Sequence, residues 1–254
     1  MSIANLNYPF VYYGKTALKT VVMQLRFNPI LKIAQELPAS FQEAIRPSFP
    51  KYGREESIGM PFELSSLPGN PAISPLRFAG GPTVWRFKTE DEKWTVGLSV
   101  DFISLETGNY SHFSDFESKA SLIIEALHNI YGVDAYTRVG LRYINLFSSD
   151  TFGGEWITLF NPSLLGPKAD PTIGRYVRDF KEVLILGDEQ WTITIQHGTE
   201  NGTYRLDLDH ATEANIRRAQ LATCLRSFNS RIYQVFRWAI TDVLNEQMEP
   251  RPRG

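Results

Sequence analysis

Arg138 and Arg142 flank Gly140 in a segment where these three residues alternate with apolar ones. Successive side chains of a β-strand point to opposite faces, so both arginines are expected on one face of a sheet. Guanidinium groups bind phosphate and carboxylate oxygens through paired hydrogen bonds, so the pattern predicts an anion-binding face. A structural ion pair between Arg142 and Glu106, or another neighbouring acid, explains the same pattern.

Other polar residues can lie on the same sheet as this arginine pair, among them Gln24. The residues predicted to bind the ligand are Arg138, Arg142, Asn145, Glu106 and Arg26.

The C-terminal part of the chain carries five arginines and no acidic residue between positions 214 and 241. On a helix, Arg226 and Arg237 point away from the apolar stripe. They are therefore candidates for contact with an acidic partner or a nucleic-acid backbone. A solvated helix face, with arginine side chains lying along its apolar edges, explains the same arrangement.

Asp207, Asp209 and His210 lie close enough in sequence to suggest a metal site. Alternation places both aspartates on one strand face and His210 on the other, while His197 on a neighbouring strand could approach. Asp209 can equally cap the following helix, so we predict no metal site. The chain has no nucleophile-elbow, zinc-protease or phosphate-loop motif, so no catalytic residue and no cofactor is predicted.

The chain of 254 residues has a net charge of -2, 43% hydrophobic residues and a single cysteine, Cys224. This apolar fraction can form a buried core and excludes a globally disordered chain. One cysteine excludes an intrachain disulfide and an all-cysteine zinc site. The first ten residues do not resemble a secretory signal, and no apolar run approaches the roughly 20 residues of a membrane span. We therefore expect a cytoplasmic protein.

Apolar periodicity predicts the elements that must position these residues. Period-two alternation predicts strands over 18–27, 84–88, 94–100, 102–106, 137–147, 176–186, 191–197 and 204–209. Helical spacing predicts helices over 31–45, with a break near Pro38, and over 111–131 and 213–245. The proline-rich segment 47–82 is predicted to be irregular: a functional loop, an arm around a partner or a variable insertion.

A short similarity between two segments of the chain suggests an internal structural repeat. Residues 91–96 (DEKWTV) resemble residues 188–193 (DEQWTI), and at both places strands flank the turn and a helix comes later. This predicts two strand-strand-strand-helix lobes, 1–150 and 151–254, within a single globular unit spanning 1–254. Two unrelated hairpins that use the same acidic turn are the alternative. We predict an α+β fold with antiparallel sheets packed against long helices.

Four stretches resemble a sporadically distributed, functionally uncharacterised family of bacterial proteins of about this length. They are 21–27 (VVMQLRF), 105–107 (LET) leading to Tyr110, 137–145 (TRVGLRYIN) and 236–242 (FRWAITD). The resemblance implies a bacterial, cytoplasmic, single-unit protein and assigns no catalytic residue. The patchy distribution of the family resembles that of mobile or defence-linked genes.

The arginine pair and the lack of a catalytic set favour a non-enzymatic binding or adaptor protein. Its anionic ligand or protein partner would lie in a groove between sheet and helices, or against the 47–82 segment. One alternative is an enzyme acting on nucleic acid or a phosphorylated small molecule. It would use His197, Asp207, Asp209 or Glu106 as acid, base or ligand. Another alternative is a structural subunit of a larger assembly.

Overall fold

The computed structural model of this chain describes residues 6–56, 83–187 and 190–252. Within these residues the chain forms a nine-stranded antiparallel sheet, two short two-stranded ribbons and six α-helices. The α+β fold predicted from the sequence is confirmed. Most of the predicted 47–82 loop and the acidic turn at 188–189 lie outside the described residues.

Nine strands form the main sheet. They are β2 (Leu18–Arg26), β3 (Lys51–Glu56), β4 (Thr83–Lys88), β5 (Trp94–Leu98), β6 (Phe102–Thr107), β8 (Arg138–Ser148), β9 (Phe180–Gly187), β10 (Thr192–Glu200) and β11 (Thr203–Thr212). The ribbons pair β1 (Val11–Tyr13) with β13 (Pro250–Pro252), and β7 (Ala135–Tyr136) with β12 (Ile216–Arg217). In space the main sheet runs β3-β4-β5-β6-β2-β8-β11-β10-β9, so β2 and β8 lie at its centre.

The six helices vary widely in length. They are α1 (Leu31–Gln35), α2 (Ala39–Ile45), α3 (Phe113–Tyr131), α4 (Trp156–Leu159), α5 (Arg218–Ala239) and α6 (Asp242–Gln247). α3 ends at Gly132, whose positive φ of 71° is a left-handed conformation that glycine adopts without strain. The break predicted near Pro38 separates α1 from α2.

The core lies between the main sheet and the helices. Alternate residues of the central strands, such as Met23 of β2 and Leu141 of β8, are fully buried and face the helices. From the other side, α3 contributes Ile123 and α5 contributes Leu225 and Ile232 to the same cluster. The apolar residues of the period-two strands and of the amphipathic helices pack together in this cluster, which explains why the sequence shows both patterns.

The two halves of the main sheet are connected in a similar way. In the first half, β2 pairs with β6, which is the last strand of the β3–β6 meander and precedes α3. In the second half, β8 pairs with β11, which is the last strand of β9–β11 and precedes α5. Because β2 also pairs with β8, the sheet continues from one half to the other. The duplication itself remains a prediction, since the first meander has four strands and the second has three.

The single helix predicted over 213–245 is wrong in detail. Residues 216–217 pair with β7, α5 ends at Ala239, and a separate helix, α6, follows. Between the helices Ile240 is extended and forms a bridge to Phe160, and the Thr241 hydroxyl accepts a hydrogen bond from the Leu244 amide. No proline or glycine marks this break, which depends on a contact with a distant segment.

Two further boundaries differ from the prediction. β9 begins at Phe180 rather than at 176, because Gly174–Tyr176 forms a short 3-10 turn. β3 lies inside the segment predicted to be irregular and pairs along its length with β4. In the described parts of the chain, no helix has the length and apolar character needed to cross a membrane.

Candidate functional site

The face of the main sheet opposite the helices carries most of the predicted ligand residues. Its central side chains, which we call the polar face, are Gln24, Arg26, Arg138, Arg142, Arg205, Asp207 and Asp209. Strand pairing sets Arg26 directly opposite Arg138, and Arg142 directly opposite Asp209. The prediction that Arg138 and Arg142 share one face is confirmed by this register.

Arg142 is held by a carboxylate. Its Nε and Nη2 donate to the two oxygens of Asp207 at 2.7 and 2.6 Å, and Arg205 donates to the same carboxylate at 2.6 Å. Asp207 is 1% exposed. Burial acts to lower the Arg142 pKa, but the bonds to Asp207 outweigh it and the pKa is raised. The ion pair that the sequence allowed therefore exists, with Asp207 rather than Glu106 as the acid.

Arg138 lies flat across the sheet over Gly140. Its Nη1 is 3.3 Å from Gln24 Oε1, and its Nη2 is 3.4 Å from Asp209 Oδ2. A Cβ at position 140 would come within 2.7 Å of Arg138 Nη1. A side chain at position 140 would therefore require the Arg138 guanidinium to shift from this position.

Asp209 is the buried acid of this face. Burial raises the pKa of its carboxyl group, and the positive charges of Arg138 and Arg142 oppose that increase. The two carboxylates of the polar face are therefore neutralised by arginines to different extents. Asp207 is gripped by two arginines at short distance, whereas Asp209 has one long contact.

The other two predicted ligand residues lie apart from the arginine pair, Glu106 on the same face but on a more distant strand. Glu106 is exposed on β6, opposite Val22, which is itself opposite Arg142, so two strand spacings separate Glu106 from Arg142. Asn145 lies on the opposite face of the sheet, toward the helices, where its Nδ2 donates to the Leu206 carbonyl at 3.1 Å. The five residues therefore do not form one site.

The acid and base candidates are divided in the same way. His197 faces the helices, with Nδ1 3.1 Å from the Tyr204 hydroxyl and Nε2 3.7 Å from Glu182. Burial lowers the His197 pKa. Asp207 and Asp209 lie on the polar face, so the sheet itself separates them from His197. Across the described residues, no group of three or more His, Cys, Asp and Glu side chains is arranged to hold a metal ion.

A cavity of about 690 Å³ opens on the helix side of the sheet. We call it the aromatic groove. It lies between the N-terminal segment, the start of α3, the middle of α5 and the centre of β8. Aromatic residues from all four elements line it, including Phe10, Tyr12, Phe113, Tyr143 and Tyr233. Its volume and its mostly apolar walls are those of a small-molecule site.

The floor of the aromatic groove carries a small polar network. The Tyr143 hydroxyl donates to Asn229 Oδ1 at 2.8 Å and is 3.2 Å from the Tyr110 hydroxyl. Burial raises the Tyr143 pKa well above its ordinary value, so this phenol stays protonated. The amides of Asn145 and Asn229 lie beside it. This floor can donate and accept hydrogen bonds, and Tyr143 cannot act as a base near neutral pH.

One wall of the groove is formed by residues 8–13, which we call the N-terminal strap. The Tyr8 amide donates to Gln234 Oε1 at 2.7 Å, and Gln234 Nε2 donates to the Tyr8 carbonyl at 3.0 Å. The Tyr233 hydroxyl donates to the Pro9 carbonyl at 2.7 Å and accepts from the Val11 amide at 3.1 Å. The strap is therefore fastened to α5 mainly by side chains, with the β1–β13 ribbon at its far end.

The two arginines predicted to contact a partner differ in environment. Arg226 is exposed at the edge of the aromatic groove and its Nε donates to Glu117 at 2.7 Å. Arg237 is only 8% exposed, because Tyr8 of the strap lies over its guanidinium at 5.2 Å. The strap, which comes from the other end of the chain, therefore covers a guanidinium group that the sequence offered as a partner contact.

Two comparisons with known proteins gave no match. No protein-family model matches the chain, and no curated protein matches it. The resemblance to a bacterial family therefore remains a prediction.

A groove between sheet and helices was predicted from the sequence, but most of its lining was not: of the predicted contact residues, only Asn145 and Arg226 line the aromatic groove. Its polar residues Tyr110, Tyr143 and Asn229 come from the loop before α3, from β8 and from α5, and none belongs to a recognisable motif. A weak signal was present, because Asn145 and Asn229 place amides on faces that are otherwise apolar. A polar residue in an apolar stripe often marks a partner or a ligand.

Proposed function

We propose that the protein is a binding protein whose ligand is a small, planar, uncharged molecule held in the aromatic groove. The observation that carries this proposal is the cavity of about 690 Å³ with aromatic walls and an amide-and-phenol floor. Sites of this size and composition enclose most of a small ligand.

The chemistry of the lining supports an uncharged ligand. Its described charged pair, Arg226 with Glu117, is internally neutralised at 2.7 Å. The arginines of the polar face lie on the other side of the sheet and cannot reach the groove. Aromatic walls favour a flat ring, and the amides of Asn145 and Asn229 favour a ring that carries both a donor and an acceptor.

A matched pair of probes tests this proposal. Benzamide and benzoate share a ring, but one is a neutral amide and the other an anion. Titration followed by amide chemical shifts should show benzamide perturbing residues around Tyr143 and Asn229, with benzoate binding more weakly. Equal or stronger binding of benzoate in the groove would contradict the uncharged-ligand proposal.

Two variants on α5 distinguish groove binding from non-specific contact. Ser230→Trp places an indole in the groove and should abolish the benzamide shifts, because Ser230 is part of the lining. Thr223→Trp adds the same indole at an exposed position outside the lining and should leave them unchanged. If both variants bind benzamide like the original protein, the groove is not the binding site.

We further propose that the protein works in the cytoplasm. The support is Cys224, a half-buried free thiol whose pKa burial raises to about 11, so it stays protonated. A lone, unpaired cysteine is typical of a reducing compartment, where disulfides are rare. Expression of a fluorescent-protein fusion in the native host, followed by cell fractionation and measurement of fluorescence in each fraction, tests this location.

A further inference from the structure

Two guanidinium groups on the polar face converge on one neutral oxygen. Gln24 Oε1 is 3.3 Å from Arg138 Nη1 and 3.5 Å from Arg26 Nε. The two arginines are also direct partners across β2 and β8. Like charges placed directly opposite each other on neighbouring strands repel, so this arrangement needs compensation.

The carboxylates of this face supply only part of that compensation. Four arginines and two aspartates form the contact network, which leaves two positive charges in excess. Asp207 is shared by Arg142 and Arg205, and Asp209 forms an ion pair with Arg138 at 3.4 Å. Arg26 has no acidic partner among the described residues. One excess charge therefore lies on the Arg142–Arg205 side, and the other lies on the Arg26–Arg138 side.

We propose that Arg26 and Arg138 together bind a phosphoryl dianion on the polar face of the sheet. Guanidinium forks match the spacing of phosphate oxygens, and a dianion would balance the excess charge of the network. Both arginines are partly exposed, so a ligand can reach them from solvent. The absence of a side chain at Gly140 keeps the Arg138 fork flat beside Gln24.

This site is independent of the aromatic groove. The main sheet separates the two, and no residue of the groove lining belongs to the polar face. The phosphoryl proposal can therefore be refuted while the groove proposal holds. The groove proposal can likewise be refuted while the phosphoryl proposal holds.

Calorimetric titration with inorganic phosphate and with phenyl phosphate, at constant ionic strength, tests the proposal. The two probes share the phosphoryl dianion, so binding of either one supports the site. Tighter binding of phenyl phosphate indicates a phosphate monoester as the natural ligand, and tighter binding of inorganic phosphate indicates the free ion. If neither binds, the proposal is overturned.

Three variants locate the binding. Arg26→Gln and Arg138→Gln should each weaken phosphate binding about tenfold, because each removes one charged fork. Arg46→Gln is the matched control: it removes an exposed arginine that pairs with Glu43 on α2, away from this face, and should leave the affinity within about twofold. Equal weakening in all three variants would show that phosphate affinity depends only on net charge, and it would contradict the proposed site.

A fourth variant keeps every charge in place. Gly140→Ala puts a methyl group where the Arg138 guanidinium lies and should displace it from Gln24. Phosphate affinity should then fall as in Arg138→Gln although the net charge is unchanged. Original affinity in a folded Gly140→Ala protein, verified by its circular dichroism spectrum, would show that the position of the Arg138 fork is irrelevant and would contradict the proposal.

Discussion

Lowering the pH from 7 to 5 should destabilise the protein through His210. The imidazole is fully buried on the helix side of β11 and stacks on Phe228, with ring centroids 3.8 Å apart. Burial, helped by the charge of Arg231, lowers the His210 pKa to about 3; contacts with the backbone of Ala211 and Thr192 oppose part of this shift. In an unfolded chain the same ring has a pKa of about 6.5.

The size of the effect follows from proton linkage. Between pH 6.5 and pH 3 the unfolded chain binds a proton at this position and the folded protein does not. The stabilising contribution of neutral His210 is therefore fully present above about pH 6.5, and it decreases as the pH falls toward 3. Each pH unit corresponds to about 1.4 kcal/mol, so His210 should lower the free energy of unfolding by about 2 kcal/mol between pH 7 and pH 5.

Urea denaturation at pH 7 and pH 5 measures this loss. The original protein should lose about 2 kcal/mol more than His210→Leu, in which position 210 cannot take up a proton. His112→Leu removes an exposed histidine and should lose as much as the original protein. His197 is present in all three proteins, so its contribution cancels. Equal losses in the original protein and His210→Leu would refute the idea that burial holds this ring neutral.

Two further substitutions probe the strap and the ion pair. Tyr233→Phe removes the hydroxyl that bonds Pro9 and Val11, which should weaken the strap by about 1 kcal/mol and speed hydrogen exchange at the Gly14 amide about fivefold; unchanged exchange there would mean that this hydroxyl does not fasten the strap. Arg142→Gln leaves the Asp207 carboxylate with Arg205 alone and should lower the free energy of unfolding by about 3 kcal/mol, measured in urea, with partial recovery in Arg142→Gln/Asp207→Asn. A double variant no more stable than the single one would argue against an uncompensated charge as the cause.

Local patterns were sufficient to predict most of the secondary structure. Alternation in β2 and β8 predicted both strands and the shared face of Arg138 and Arg142, because side-chain direction in a strand depends only on position. The same rule separated His210 from Asp207 and Asp209. These predictions needed no knowledge of which strands are neighbours.

Strand neighbours decided the chemistry of the polar face. The sequence left the acid beside Arg142 open between Glu106 and another residue, and pairing of β8 with β11 selects Asp207. Register between strands is set by the packing of both strands on the core, which a single sequence does not display. The position of the Arg138 guanidinium over Gly140 is likewise a property of the folded structure.

The sequence by itself determined an α+β chain with an antiparallel sheet, two long amphipathic helices and an arginine face, because these features repeat along one element at a time. Only the tertiary structure decided that Tyr8 covers Arg237 and that helix α5 stops at Ala239. The aromatic groove likewise exists only where the strap, α3, α5 and β8 meet. Each of these outcomes depends on contacts between residues far apart in the chain, and their energies leave no periodic trace in the sequence.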